Sequence, residues 1–107
     1  MSGGHYAIGL VAGSVVRGLP LAEHGGRLYF DPARRVRAGD VVAVWPGGDS
    51  PPLIARAMCA PPPAGITGGV LAVWNGNRRA TVRLDDVAGV HAAYGFRPVD
   101  SVSLQPL

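Results

Sequence analysis

Glycine and proline divide this chain into short segments along its whole length. The 107 residues include 16 glycines and 10 prolines, which occur at intervals rather than in one low-complexity block. This spacing is typical of many short strands joined by turns, and no segment has sustained helical periodicity. We therefore expect an all-β fold, in which residues 19–24 are the best candidate for a single helical turn.

The length and composition indicate one small folded domain. Domains usually contain roughly 100–150 residues, so a chain of 107 has no room for a second one. Apolar residues make up 48% of the chain and charged residues 16%, a balance that permits a compact core and argues against disorder. We expect residues 1–107 to form a single domain.

The basic residues exclude several kinds of chemistry, because all ten of them are arginines. A chain without lysine has no Schiff base, no lysine general base and no P-loop. Its single cysteine, Cys59, and three scattered histidines do not have the spacing of a disulfide framework or a structural zinc site. We expect no cofactor and no bound metal.

Two further sequence features bear on location. No apolar run approaches the roughly 20 residues that cross a bilayer, and the N-terminal residues lack the basic region and apolar core of a signal peptide. The net charge of +3 is modest. We expect a cytoplasmic or virion-associated protein without a membrane partner.

The apolar segments between turn signals predict the strands. They are residues 6–11, 26–31, 41–45, 53–58, 69–74, 80–84 and 87–94. The Pro/Gly-rich loop after Trp45 predicts that 41–45 pairs antiparallel with 53–58, and Asn75-Gly76 predicts a second hairpin. If both faces of the sheet are covered, all of residues 41–45 are buried.

The order of these segments resembles that of a known family. GGRLYFDPARRVRAGDVVAV at residues 25–44 places a strand before a Gly-Asp turn and a valine-rich strand, and LIARAM at 53–58 and DDVAGVHAAY at 85–94 follow. The pattern is similar to the central region of the LexA/UmuD and signal-peptidase-like serine peptidases, over residues 7–97. The resemblance implies a domain of bent, coiled antiparallel sheets of the LexA C-terminal or β-clip type, with short tails at both ends.

The same resemblance implies that the family's catalytic pair is missing. It places the nucleophilic serine at Arg17 and the lysine at Ala55. An arginine cannot replace a lysine base, because its guanidinium stays protonated. We therefore expect a pseudo-peptidase and not an enzyme. An active serine hydrolase would have to use Ser14, with a shifted register and a different base.

Without catalysis, association is the function that the resemblance implies. We expect a regulatory module that self-associates or binds a protein partner as a homo-oligomer or larger assembly, and a phage-encoded origin fits these features. The alternative is a small structural or decoration protein of a phage particle. The apolar strands and strand-end tryptophans give the candidate interface: Trp45, Trp74, Val87, Val90, Tyr94, Val102 and Leu104.

The tail contributes to this interface because residues 101–104 alternate polar and apolar side chains, as in a half-buried strand. We expect deletion of residues 99–107 to lower association more than thermal stability.

Two arginine clusters are candidate phosphate contacts. They are Arg34, Arg35 and Arg37, and Arg78, Arg79 and Arg83. Aromatic residues do not interleave with these arginines, so a platform for base stacking is not indicated. Nucleic acid is therefore the less favoured partner.

Overall fold

The computed structural model describes residues 4–62 and 68–107, and its elements confirm the all-β prediction. The strands are β1 (Tyr6–Leu10), β2 (Gly26–Asp31), β3 (Val41–Trp45), β4 (Leu53–Ala57), β5 (Val70–Asn75), β6 (Arg78–Arg83), β7 (Gly89–Pro98) and β8 (Gln105–Pro106). Two short 3-10 helices span Pro20–His24 and Leu84–Asp86. Among the described residues, no helix is long and apolar enough to cross a membrane.

All eight strands belong to one antiparallel sheet with the order β1-β2-β7-β3-β4-β5-β6. Strand β7 has two main partners, because its first residues, from Gly89 to Ala92, pair with β3 and the rest, from Ala92 to Pro98, pair with β2. Strand β8 adds a short pairing at Gly95 and Phe96. The long β7 therefore joins the two halves of the sheet.

The β3–β4 hairpin has the predicted pairing, with Val41 opposite Arg56 and Val44 opposite Leu53. The prediction that residues 41–45 are all buried is right for the first four, while Trp45 at the end of the strand is half-buried. Its indole lies at the edge of the core and donates a hydrogen bond to the hydroxyl of Tyr6, as is usual for a partly buried tryptophan.

Two hydrophobic cores lie on opposite faces of this sheet, because successive side chains of a strand point to opposite sides. The first contains Val16, Leu19, Ala22, Leu28, Phe30, Val41, Ala43, Ala93 and Phe96. The second contains Val36, Val42, Val44, Ala55, Ala57, Leu71, Val73 and Ala92. Since β3 contributes to both cores, its unbroken apolar sequence is explained.

The second hairpin forms as predicted, but its turn lies one residue later than the predicted turn at Asn75-Gly76. Asn75 pairs with Arg78, so the two loop residues are Gly76 and Asn77. Gly76 has a φ of 62°, and none of the described non-glycine residues has a positive φ. A positive φ at the first loop residue alone is the pattern of a type II′ turn, which needs glycine there.

The C-terminal strands differ from the predicted ones. The predicted strand 87–94 is instead Gly89–Pro98, because Phe96 pairs with Leu28 and is fully buried in the first core. A register shift opposite Tyr29 and Phe30 lets β7 continue past Tyr94. Residues 101–104 do not form a strand, and the tail pairs with β7 further on, at Gln105–Pro106.

Gly26 predicts a site that is sensitive to a single methyl group. It has a φ of 143°, and a Cβ there would lie 2.5 Å from the carbonyl oxygen of Arg97 and 2.9 Å from the ring of Phe96. We expect Gly26→Ala to lower the free energy of unfolding by about 2–4 kcal/mol, through strain and overpacking. Gly9→Ala is the matched control, because a Cβ at Gly9 meets nothing within 4 Å. Equal urea-denaturation midpoints for the two variants would contradict this prediction.

Candidate functional site

The two positions that the resemblance assigns to the catalytic pair do not lie side by side. Ala55 is buried in the second core, opposite Val42 of β3. Arg17 is exposed in the loop between β1 and the first 3-10 helix. Arg56, the next residue of β4, points to the other face of the sheet, where its Nε donates a hydrogen bond to the carbonyl oxygen of Arg17. Arg56 therefore occupies the place beside Arg17.

The guanidinium of Arg56 joins three separate segments of the chain. Besides its bond to Arg17, its Nη1 donates to the carbonyl oxygen of Gly39 in the turn before β3. Burial lowers the pKa of Arg56, while the nearby charge of Asp40 raises it. A guanidinium nevertheless stays protonated at neutral pH, so it acts as a fixed donor and not as a base.

Trp74 completes this arrangement as an aromatic surface for two arginines. Arg56, Trp74 and Arg79 are neighbours across β4, β5 and β6. The Cζ of Arg17 lies 3.8 Å from the centre of the indole ring, and that of Arg79 lies 5.8 Å from it. Both distances are within the range of cation–π attraction. The interface candidate Trp74 is thus packed against side chains of its own chain.

Ser14 lies near this loop without a recognisable catalytic partner. Its hydroxyl donates to the carbonyl oxygen of Val11 at 2.7 Å. It lines a cavity of about 210 Å³ together with apolar residues and Glu23, and among the described lining residues there is no histidine. The hydroxyl is used in a turn, and the neighbouring carboxylate would have to act as the base.

A hydrogen-bonded group of Tyr6, Trp45 and His91 was not predicted from the sequence. The indole Nε1 of Trp45 donates to the hydroxyl of Tyr6 at 2.7 Å, and that hydroxyl lies 2.6 Å from Nδ1 of His91. Because the tyrosine oxygen already accepts from Trp45, its hydrogen is available to Nδ1, which assigns the proton of a neutral His91 to Nε2.

Burial keeps this group neutral. Burial lowers the pKa of His91 and raises the pKa of Tyr6. The hydrogen bond from Trp45 lowers the pKa of Tyr6, but by less than burial raises it. Trp45 and His91 also line a cavity of about 310 Å³, together with Gly47, Gly48, Ala88 and Gly89. The three side chains come from three distant strands, so no local spacing in the sequence could identify them.

The remaining histidines and the cysteine do not form a cluster with a clear chemistry. His5 contacts Asp31 at 3.4 Å at the surface, and Cys59 is an exposed free thiol. Within residues 4–62 and 68–107, no group of three or more His, Cys, Asp or Glu side chains could hold a metal ion.

The two arginine clusters lie on different elements. In the loop between β2 and β3, Arg34 donates to the carbonyl oxygen of Ala93 and lies 3.8 Å from Asp40, while Arg35 and Arg37 are exposed. Arg78, Arg79 and Arg83 belong to the edge strand β6, where Arg83 lies 3.7 Å from Asp86.

The remaining interface candidates differ in exposure. Val87 and Val90 are half-buried against the second core, and Tyr94 lies beside His5, with 5.0 Å between ring centres. By contrast, Val102 is 96% exposed and Leu104 is 45% exposed. The tail is therefore the part of the predicted interface that is most open to another chain.

Comparison with family models, curated proteins and solved structures found no match to this chain. The interpretation of the site depends on its own geometry.

The lowered pKa of His91 predicts a dependence of stability on pH. An unfolded histidine has a pKa of about 6.5, so the unfolded chain takes up a proton before His91 does in the fold. The stability that comes from keeping His91 neutral in the fold is fully present above the unfolded pKa. It is lost as the pH falls through the lower pKa of the folded state. We expect urea-denaturation midpoints measured from about pH 8 to about pH 5 to fall less for His91→Gln than for the unaltered chain.

His24→Gln is the matched control, because His24 is exposed on the first 3-10 helix. If the His24 variant flattens the pH profile as much as the His91 variant, the contribution does not come from the Tyr6–Trp45–His91 group.

Proposed function

We propose that this chain is a peptidase-like domain without peptidase activity, which works by associating with a second copy of itself. The observation that carries the first half of the proposal is the position of Arg56. Its guanidinium is hydrogen-bonded to the carbonyl oxygens of Arg17 and Gly39. The chemistry of a Ser–Lys pair needs a neutral amine beside a serine hydroxyl at that place.

The alternative nucleophile lacks a suitable activating group. Ser14 donates to the carbonyl oxygen of Val11, and the titratable group lining its cavity is the carboxylate of Glu23. A general base has to lie within hydrogen-bond reach of the proton that it removes, and in the described structure the Ser14 hydroxyl is directed to Val11 and not to Glu23. The geometry therefore favours a structural role for Ser14.

Association is supported by the exposed apolar side chains. Of the eight large hydrophobic residues that are exposed in the described chain, four belong to the tail: Val99, Val102, Leu104 and Leu107. Strand β8, which lies among them, pairs with β7 alone among the described strands. Exposed apolar side chains concentrated on one segment form a surface that another chain can cover, and the same tail of a second copy offers a matching one across a two-fold axis.

The absence of catalysis can be tested with a serine-directed fluorophosphonate probe. We expect no labelling of the unaltered chain, because the Ser14 hydroxyl donates to the carbonyl oxygen of Val11, and the position of the family's nucleophile is occupied by Arg17, hydrogen-bonded to Arg56. Labelling that disappears in Ser14→Ala would show that the chain is a serine hydrolase and would contradict the proposal.

A gain-of-function comparison uses the two faces of β4. Arg17→Ser with Arg56→Lys places a hydroxyl and an amine on the same side of the sheet, and we expect both changes to be necessary for any labelling. The control pair is Arg17→Ser with Ala55→Lys, in which the amine would enter the second core. Labelling of the control pair alone would contradict this assignment of the faces.

The association surface can be tested with one substitution. Val102→Asp places a charge on an apolar contact, so we expect it to weaken self-association about tenfold or more while stability changes by no more than about 0.5 kcal/mol. Sedimentation equilibrium measures the first quantity and urea denaturation the second. Val11→Asp is the control, because Val11 is 77% exposed but lies after β1, outside the tail.

Equal weakening by the two variants would contradict an interface centred on the tail. Deletion of residues 99–107 is a less specific test, because it also removes β8 and the contact of Leu104 with Gly95.

A further inference from the structure

Arg27 and Arg97 lie directly opposite each other on the neighbouring antiparallel strands β2 and β7. Directly opposed residues of such a pair project on the same face of the sheet, so the two side chains are adjacent. Like charges at opposed positions destabilise a sheet unless a charge of the other sign lies between them. This pair therefore needs an explanation.

Among the described residues, no carboxylate oxygen lies within 4.0 Å of either guanidinium. The ion pairs of the described chain join His5 to Asp31, Arg34 to Asp40, and Arg83 to Asp86, and none of them includes Arg27 or Arg97. On the other side of Arg27, the opposed residue of β1 is Gly9, at which an added Cβ would meet nothing within 4 Å. The space beside the two guanidinium groups is therefore open.

These two arginines also line one cavity, of about 270 Å³. The other residues around it are Leu10, Gly26, Pro98 and Val99. Gly26 leaves no room for a side chain at this place, since a Cβ there would lie 2.5 Å from the carbonyl oxygen of Arg97. The arginines thus stand at a concave place with partly apolar walls and not on a flat surface.

We propose that Arg27 and Arg97 bind a phosphate group in this cavity. Two neighbouring guanidinium groups offer ten N–H donors and two positive charges, which match the oxygens and the double charge of a phosphate dianion. A single carboxylate would neutralise only half of this charge. The apolar walls formed by Leu10, Pro98 and Val99 leave room for the organic part of a phosphate monoester.

The test compares stability in sodium phosphate and in sodium chloride at equal ionic strength and mildly alkaline pH. For the unaltered chain, we expect phosphate at ten times its Kd to raise the ratio of folded to unfolded protein about 11-fold. Arg27→Gln and Arg97→Gln should each abolish this increase. In chloride alone, each variant should be at least as stable as the unaltered chain, because the repulsion is gone.

Arg35→Gln is the matched comparison, because it removes the same charge outside the cavity, from the arginine cluster that the sequence marks as a competing phosphate contact. It should keep the full response to phosphate. No response of the unaltered chain, or an equal loss in the Arg35 variant, would overturn the proposal.

Two further ligands define the source of the phosphate group. A larger effect of adenosine monophosphate than of inorganic phosphate would support a phosphate monoester, and an equal effect would support free phosphate. An equal effect of acetate would overturn the assignment of a phosphate dianion. At one fixed chain concentration, self-association contributes to stability in both phosphate and chloride, and no labelling is involved, so failure of these measurements would leave the proposed function untouched.

Discussion

Strand β7 pairs with two different strands, β3 and β2, and this double pairing allows two cores to form on opposite faces of one sheet. The first residues of β7 extend β3, and from Ala92 onward it pairs with β2. Neighbouring residues of β7 therefore belong to different cores, Ala92 to the second and Ala93 to the first. A small chain without long helices in its described part can bury both faces of its central strands in this way, because each half of the sheet supports a separate core.

This division also leaves one uncovered face on each half of the sheet, and the polar groups of interest lie there. On the half formed by β4, β5 and β6, Arg17 and Arg79 lie against Trp74. On the half formed by β1, β2 and β7, Arg27 and Arg97 face each other beside a cavity. In a chain without lysine, both faces use arginine, whose planar group can stack on a ring and donate several hydrogen bonds.

Local sequence patterns predicted the elements whose pairing is also local. The apolar residues Val41–Trp45 and the Pro/Gly-rich loop after them were sufficient for the β3–β4 hairpin. The end of β7 was missed, because Gly95 and Pro98 are ordinary signs of a strand end, and the burial of Phe96 depends on the distant Leu28. For the same reason, nothing near Tyr6 or His91 in the sequence indicates their contact. The positions of the catalytic pair were taken from a resemblance in the order of residues. That order does not show to which face of the sheet the side chains of Ala55 and Arg56 point.

The proposed function has two parts: arginine hydrogen bonds in place of a catalytic pair, and an exposed apolar tail as the association surface. Its central claim is that the chain associates with itself through this tail, where Val102 is 96% exposed. Sedimentation equilibrium of the unaltered chain across the micromolar range tests that claim most directly. We expect the mass to rise with concentration to that of a dimer or a larger assembly. A constant monomer mass across this range would contradict it.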